Sequence, residues 1–157
     1  MAGDWRADGP ALPIEFSRVA DGGELATAIC LGAATVDVLW APLITTSLQQ
    51  AYDDLASREG ISPERTDGVG ILMVHDVEDG GGLNSWALAH RLDALVWTAL
   101  PPRYQNIENR IPTAPEAADY LVSLDETTQA HARDYLKKVP GQIYTAYRQF
   151  FAERLGW

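Results

Sequence analysis

The chain of 157 residues has a single cysteine and no long apolar run. Cys30 has no partner for an internal disulfide, and because it lies in a short apolar run we expect it to pack as a small hydrophobic side chain. No run approaches the roughly 20 apolar residues of a membrane-spanning helix, and the N-terminus lacks the basic start and apolar stretch of a secretory signal. These absences predict a cytoplasmic protein with no membrane partner.

Basic residues are also scarce, with 12 Lys and Arg against 22 Asp and Glu and a formal net charge of -10. This balance repels phosphate backbones and argues against nucleic-acid binding. The paired His and Cys motifs of zinc sites are absent, as are the P-loop and dinucleotide glycine patterns and the Gly-x-Ser-x-Gly motif of serine hydrolases. No motif therefore specifies a reaction or a cofactor, and whether the chain is an enzyme stays open.

Three apolar runs, residues 26–32, 69–76 and 92–98, predict strands. Apolar residues at helical spacing lie between the first two runs, and residues 84–90 predict a shorter helix between the second two. This order predicts an α/β fold in which residues 14–157 form a single domain with a small, mostly parallel sheet, crossover helices and three C-terminal helices. Residues 1–13, with two glycines and two prolines, predict a loose N-terminal arm.

Local signals refine this fold. Residues 14–19 alternate imperfectly and predict an edge strand, joined to the next strand by the turn at 21–23. The run 69–74 is apolar on both faces, which predicts a central strand covered on both sides. Thr113 with Glu116 predicts a capping box, and Asp125 predicts a second helix cap. Residues 103–112 show no periodicity and predict a structureless connection.

The candidate site follows from the parallel arrangement. The carboxyl ends of parallel strands share one edge of a sheet, so Gly32, Asp76 and Thr98 are expected on a common side. We predict that His75 and Asp76 are catalytic, with the imidazole acting as a general base beside the carboxylate. Arg103 is expected to neutralise an anionic group or to pair with Asp76 or Asp79. The complete set of predicted ligand-binding residues is Asp79, Asn84, Ser85, Thr98 and Arg103.

The segment after the second run permits other interpretations. One interpretation is a metal site, because the carboxylates of Asp76, Glu78 and Asp79 are suitable ligands for a hard cation. Gly80 to Gly82 with the amides of Asn84 and Ser85 would instead form a phosphate cradle at a helix start. The third interpretation is a solvated acidic turn with no ligand. The use of a metal therefore stays open.

Two hypotheses of function come from these residues. The first is a domain, either an enzyme or a binding domain, that binds a small polar ligand at the carboxyl ends of its strands. The alternative is a non-catalytic interaction module that dimerises or docks on a basic partner through residues 142–157. This second hypothesis depends on the aromatic stripe of the last helix, which consists of Tyr147, Phe150 and Phe151 with Trp157. Trp40 and Trp86 are expected either to wall a pocket or to pack beneath one.

Overall fold

A computed structural model describes residues 3–77 and 82–157. The chain divides into two compact units. The first unit contains Met1–Pro10 and Leu39–Leu100, and the second contains Ala11–Val38 and Pro101–Trp157. The sequence carried no signal for this division, because neither unit is a continuous segment of the chain.

The described residues contain five helices and two sheets, so the protein has mixed α and β content. None of the described helices is both long enough and apolar enough to cross a membrane. In chain order the elements are β1 (Ala11–Val19), β2 (Leu25–Ile29), β3 (Thr35–Asp37), α1 (Leu48–Arg58), β4 (Val69–Met73), α2 (Leu83–Ala89), β5 (Ala94–Thr98), β6 (Arg103–Tyr104), β7 (Ile107–Glu108), α3 (Ala114–Ser123), α4 (Glu126–Lys138) and α5 (Ala146–Leu155).

The sheet of the second unit is built around β1. This strand pairs antiparallel with β2 and with β3, and parallel with β6 at Arg18 and Arg103. The predicted hairpin of β1 and β2 is confirmed, but β1 is not an edge strand. The expectation of a mostly parallel sheet was wrong, because β1–β6 is the only parallel pairing in the described part of the chain. The turn between β1 and β2 is too short for a crossover, so these strands pair antiparallel.

Residues 103–112 are more ordered than predicted. β6 and β7 form a small antiparallel hairpin, with Arg103 opposite Glu108 and Tyr104 opposite Ile107. The two residues between the strands, Gln105 and Asn106, have φ angles of 51° and 60°. Two consecutive left-handed residues define a type I′ turn. The sequence Gln-Asn predicts such a turn less strongly than Asn-Gly does.

Side chains of α3, α4 and α5 form the core of the second unit together with side chains of β1 and β2. The capping box of Thr113 and Glu116 begins α3, and the Asp125 side chain caps α4, as predicted. Phe16 of β1 packs edge-on against Phe151 of α5, with ring centroids 6.5 Å apart. The buried core consists of Phe16, Leu25, Ala117, Ala118, Leu121, Ala132, Leu136 and Phe151.

Among the residues that the structure describes, the sheet of the first unit has two strands, β4 and β5, which pair antiparallel. Helix α1 packs on this hairpin. Ser47 caps the N-terminus of this helix, because its side chain accepts a hydrogen bond from the Gln50 amide. A two-stranded sheet depends on such packing, because an isolated hairpin has marginal stability in water.

Residues 3–10 are held against the first unit and do not form a loose arm. Asp8 is the main attachment: its Oδ1 accepts from Trp40 Nε1 at 2.8 Å and its carbonyl oxygen accepts from Trp86 Nε1 at 3.1 Å. The hydrogen bond from Trp40 lowers the pKa of the Asp8 carboxyl. Trp40 and Trp86 pack edge-on at 5.3 Å, and the His90 ring stacks on Trp86 at 4.2 Å. These tryptophans therefore hold the N-terminal segment in place.

Candidate functional site

The predicted pocket required three strand ends on one side, and the register of β4 and β5 contradicts this. Val69 lies opposite Thr98 and Met73 lies opposite Ala94. Asp76 follows the Met73 end of the hairpin, so Asp76 and Thr98 lie at opposite ends of it. The physical reason is the connection: α2 has only seven residues, and the chain returns beside β4 without crossing over the sheet.

The residues after β4 are arranged by Asn84. The Asn84 side chain is buried: its Oδ1 accepts from the His75 amide at 2.8 Å, and its Nδ2 donates to the carbonyl oxygens of His75 and Val77 at 2.9 and 2.8 Å. The side-chain amide thus holds the loop onto α2, and the predicted contact of Asn84 with a ligand stays a prediction. The His75 and Asp76 side chains are exposed, and Ser85 is half-buried in α2.

Asp79 lies outside the described residues, as do Glu78, Gly80 and Gly81. The hard-cation site and the phosphate cradle both depend on these residues, so they stay predictions. Within residues 3–77 and 82–157, no group of three or more His, Cys, Asp or Glu side chains is arranged to hold a metal ion.

Arg103 belongs to the second unit and is engaged there. Its Nε and Nη2 donate to the carbonyl oxygen of Val19 at 2.9 and 2.7 Å, and Nη2 also donates to Asp21 Oδ1 at 2.8 Å. This hydrogen bond, together with the positive charge of Arg103, lowers the pKa of the Asp21 carboxyl. Within its own unit Arg103 thus pairs with Asp21, which lies in the turn after β1.

An imidazole beside a carboxylate, the arrangement predicted at His75 and Asp76, occurs at His131 and Glu24 in the second unit. His131 Nε2 lies 3.1 Å from Glu24 Oε2, and the His131 side chain is 54% exposed. Gly22 allows this approach, because a Cβ at that position would lie 2.5 Å from Glu24 Oε2. The pair joins the β1–β2 turn to α4 at the surface.

The aromatic stripe of the last helix faces the core of its own unit. Phe151 is buried, and Tyr147 packs edge-on against it with ring centroids 6.4 Å apart. Phe150 and Trp157 also pack against the core, and the guanidinium of Arg133 lies over the Trp157 ring at 4.7 Å. These contacts make the stripe an intramolecular packing surface and remove the exposed aromatic face on which the dimerisation hypothesis depended.

The second unit also contains a buried carboxylate that the sequence analysis missed. Glu15, only 3% exposed, accepts hydrogen bonds from the Phe16 amide at 2.9 Å, from the Tyr147 amide at 3.3 Å and from the Thr145 hydroxyl. Burial raises the pKa of Glu15 despite these hydrogen bonds. Because Thr145 is the N-cap of α5, the carboxylate links β1 to the start of that helix.

The most exposed apolar surface of a strand in the first unit lies on β4. Ile71 and Met73 are 44% and 51% exposed and share one face of the strand, so the prediction that this strand is covered on both faces was wrong. A groove of about 380 Å³ adjoins this face and is lined by Leu48, Gln49, Tyr52 and Ile71. The sequence pattern missed this surface, because an apolar run predicts burial without showing how many strands the sheet contains.

The fold and this surface define an α/β protein with an incompletely covered two-stranded sheet. No protein-family model matches the chain, and neither the curated proteins nor the solved structures include a significant match. The chain's own geometry and chemistry are therefore the basis on which its function is inferred.

Proposed function

We propose that this chain is a non-catalytic interaction module whose first unit docks an apolar, basic segment of another protein. The exposure of Ile71 and Met73 on one face of β4, beside the groove along α1, carries the proposal. Neighbouring exposed apolar side chains on a soluble domain mark interaction sites more often than isolated ones do. Like the second hypothesis from the sequence, this proposal describes a non-catalytic interaction module. The docking surface now lies on β4 and not on the last helix.

The charge of the first unit supports a basic partner. Its sequence contains eleven Asp and Glu residues, four arginines and no lysine, a formal net charge of -7. Asp53 lies beside the groove, because its carboxylate accepts a hydrogen bond from the groove residue Gln49 at 2.9 Å. Carboxylates around an apolar surface steer positively charged partners toward it and repel acidic ones.

A random peptide library displayed on phage tests this proposal. We expect wild-type protein to enrich peptides that combine Lys or Arg with apolar residues, and the double variant Ile71→Glu/Met73→Glu to lose that enrichment. The matched control is Ile111→Glu/Val122→Glu in the second unit, since Ile111 and Val122 are 47% and 56% exposed. Enrichment that is absent from wild type, or equal in wild type and the β4 variant, would overturn the proposal.

The competing hypothesis of a small polar ligand has support from the exposed His75 and Asp76, which lie on a loop that Asn84 fixes. A thermal-shift screen with a metabolite mixture tests it, because a ligand that binds the folded state raises the melting temperature. A shift in wild type that His75→Ala/Asp76→Ala abolishes, without peptide enrichment, would favour the small ligand over the docking function.

A further inference from the structure

We infer that the docked segment is extended and adds to the open edge of β4 as a third strand, an inference that rests on the docking function proposed above. Within the described residues, β4 has one strand partner, β5, and no strand pairs with its outer edge. Such an edge is a template for an added strand, whose main-chain hydrogen bonds supply affinity and whose side chains supply specificity.

The register shows which backbone groups this edge presents. The Ala99 amide donates to Gly68 O at 2.9 Å and the Val74 amide donates to Asp93 O at 3.0 Å, which marks both as hydrogen-bonded pairs. Hydrogen-bonded and non-hydrogen-bonded pairs alternate along an antiparallel ladder. The N–H and C=O groups of Val69, Ile71 and Met73 therefore point away from β5.

Ile71 and Met73 also carry the exposed side chains, so the outward-pointing backbone groups and the exposed apolar side chains belong to the same residues. An added strand that pairs with the backbone of Ile71 and Met73 would place its alternate side chains beside theirs. The β5 edge is a weaker candidate, because α1 packs more extensively on β5 than on β4 and most β5 residues are half-buried.

The β4 edge also lacks the features that normally prevent strand addition. Natural edge strands are protected by lysine, proline, inward charges or bulges. The sequence of β4 is Val-Gly-Ile-Leu-Met, and its pairing with β5 is regular over all five residues. Nothing in the strand itself therefore opposes a third strand.

The charge of the first unit indicates which segment would bind at the β4 edge. The first unit has a formal net charge of -7, and Asp76, three residues after β4, is exposed. Asp67, two residues before β4, is also exposed, and its carboxylate pairs with Arg65 at 2.8 Å. If a second copy paired through its own β4, two such acidic units would be brought together, which like-charge repulsion opposes. A segment with an apolar, β-branched centre and a Lys or Arg at each end is instead attracted by the acidic unit. The inferred occupant is such a segment of another protein.

The test uses a capped synthetic peptide in which valine and threonine alternate between paired lysines. Two derivatives carry N-methyl groups on one or the other alternate set of central amides. Only one set of amides faces β4, so we expect one derivative to bind at least about tenfold more weakly than the parent, since several main-chain hydrogen bonds to β4 are lost. The other derivative should bind like the parent. Fluorescence anisotropy of the labelled peptides measures both.

A variant of the protein tests the same edge, in addition to the changes made in the peptide. Ile71→Pro removes an outward-facing N–H without removing a bond to β5, because proline is tolerated on the open side of an edge strand. We expect it to weaken binding of the parent peptide at least about tenfold, whereas the matched Ile71→Val variant should retain binding. If Ile71→Pro does not fold, the methylated peptides still decide the question on wild-type protein.

The outcomes separate this inference from the docking function. If peptides selected by display lose binding in Ile71→Glu/Met73→Glu, but both methylated derivatives bind like the parent, docking stands and strand addition is overturned. If no peptide binds, both proposals fail. Equal binding of a peptide with glutamates in place of the lysines would overturn the inferred charge, and concentration-dependent dimers of the wild type that Ile71→Pro abolishes would replace the partner segment with a second copy.

Discussion

Gly70 lies directly opposite Trp97 in the β4–β5 ladder, and the Trp97 indole occupies the space that a Cβ of residue 70 would need. A glycine inside a strand ordinarily weakens it, because the residue has no side chain to pack and loses more backbone entropy on folding. Here the ring of the opposite residue covers the gap. Because residue 70 has no side chain, the Trp97 ring can lie across the β4–β5 hairpin.

The first prediction concerns this contact. Gly70→Ala should lower the free energy of unfolding by about 1–3 kcal/mol, because the added methyl group forces the indole out of its position. Urea unfolding followed by tryptophan fluorescence measures the change. Gly141→Ala is the control, since no atom lies within 4 Å of its added Cβ. Equal stability of the two variants would contradict the packing of Trp97 over residue 70.

The second prediction concerns the loop after β4. Asn84→Ala should lower the stability of the first unit by about 1–3 kcal/mol, because it leaves backbone groups of residues 75–77 without their partners. Hydrogen exchange followed by mass spectrometry should show faster exchange at the His75 amide, which donates to Asn84 Oδ1. The exposed Gln50→Ala on α1 should leave that amide unchanged. Unchanged exchange in Asn84→Ala would show that the loop does not depend on this side chain.

The third prediction concerns pH. Burial raises the pKa of Glu15 above its ordinary value of 4.5, so the folded state holds a proton that the unfolded state has already released. In the window from 4.5 up to the raised pKa, the unfolded state binds fewer protons, and stability falls as pH rises. The difference in unfolding free energy between wild type and Glu15→Gln should therefore decrease across this window. Urea titrations at several pH values measure it, and a constant difference would contradict the burial of the charge.

The fourth prediction compares the two partners of the ion pair between Asp21 and Arg103. The Asp21 side chain is 98% exposed in its contact with Arg103, so Asp21→Asn should change stability by less than about 1 kcal/mol. Arg103→Gln should cost more, because the guanidinium also donates two hydrogen bonds to Val19 O across the β1–β6 pairing. Urea unfolding of the two variants gives the comparison. A larger loss in Asp21→Asn would reverse the assignment of the main contact.

Local features of this fold could be read from the sequence because each depends on neighbours in the chain. The capping box at Thr113, the Asp125 cap and the β1–β2 hairpin follow from side-chain and turn chemistry within a few residues. The failures concern pairing between distant segments. An apolar run such as β4 is compatible with a central strand and with an edge strand, and periodicity alone does not distinguish them.

The common edge predicted for Asp76 and Thr98 was wrong for the same reason. Its residues were grouped by assuming parallel strands, and the antiparallel pairing of β4 with β5 separates Asp76 from Thr98. Asn84 was predicted to bind a ligand, and its side chain forms hydrogen bonds with the backbone of the residues after β4. Buried charges such as Glu15 were missed because their partners, Thr145 and Tyr147, lie far away in the sequence.

The chain passes between its two units at residues 10–11, 38–39 and 100–101. Truncation after residue 10 or 38 would therefore leave both units incomplete, whereas truncation after residue 100 would keep both segments of the first unit and remove residues 101–157 of the second. During synthesis β1 emerges early, yet its parallel neighbour β6 and the helices that cover Phe16 follow only after the whole of the first unit has been made. The second unit must stay unfinished on the ribosome until the final helix has been translated.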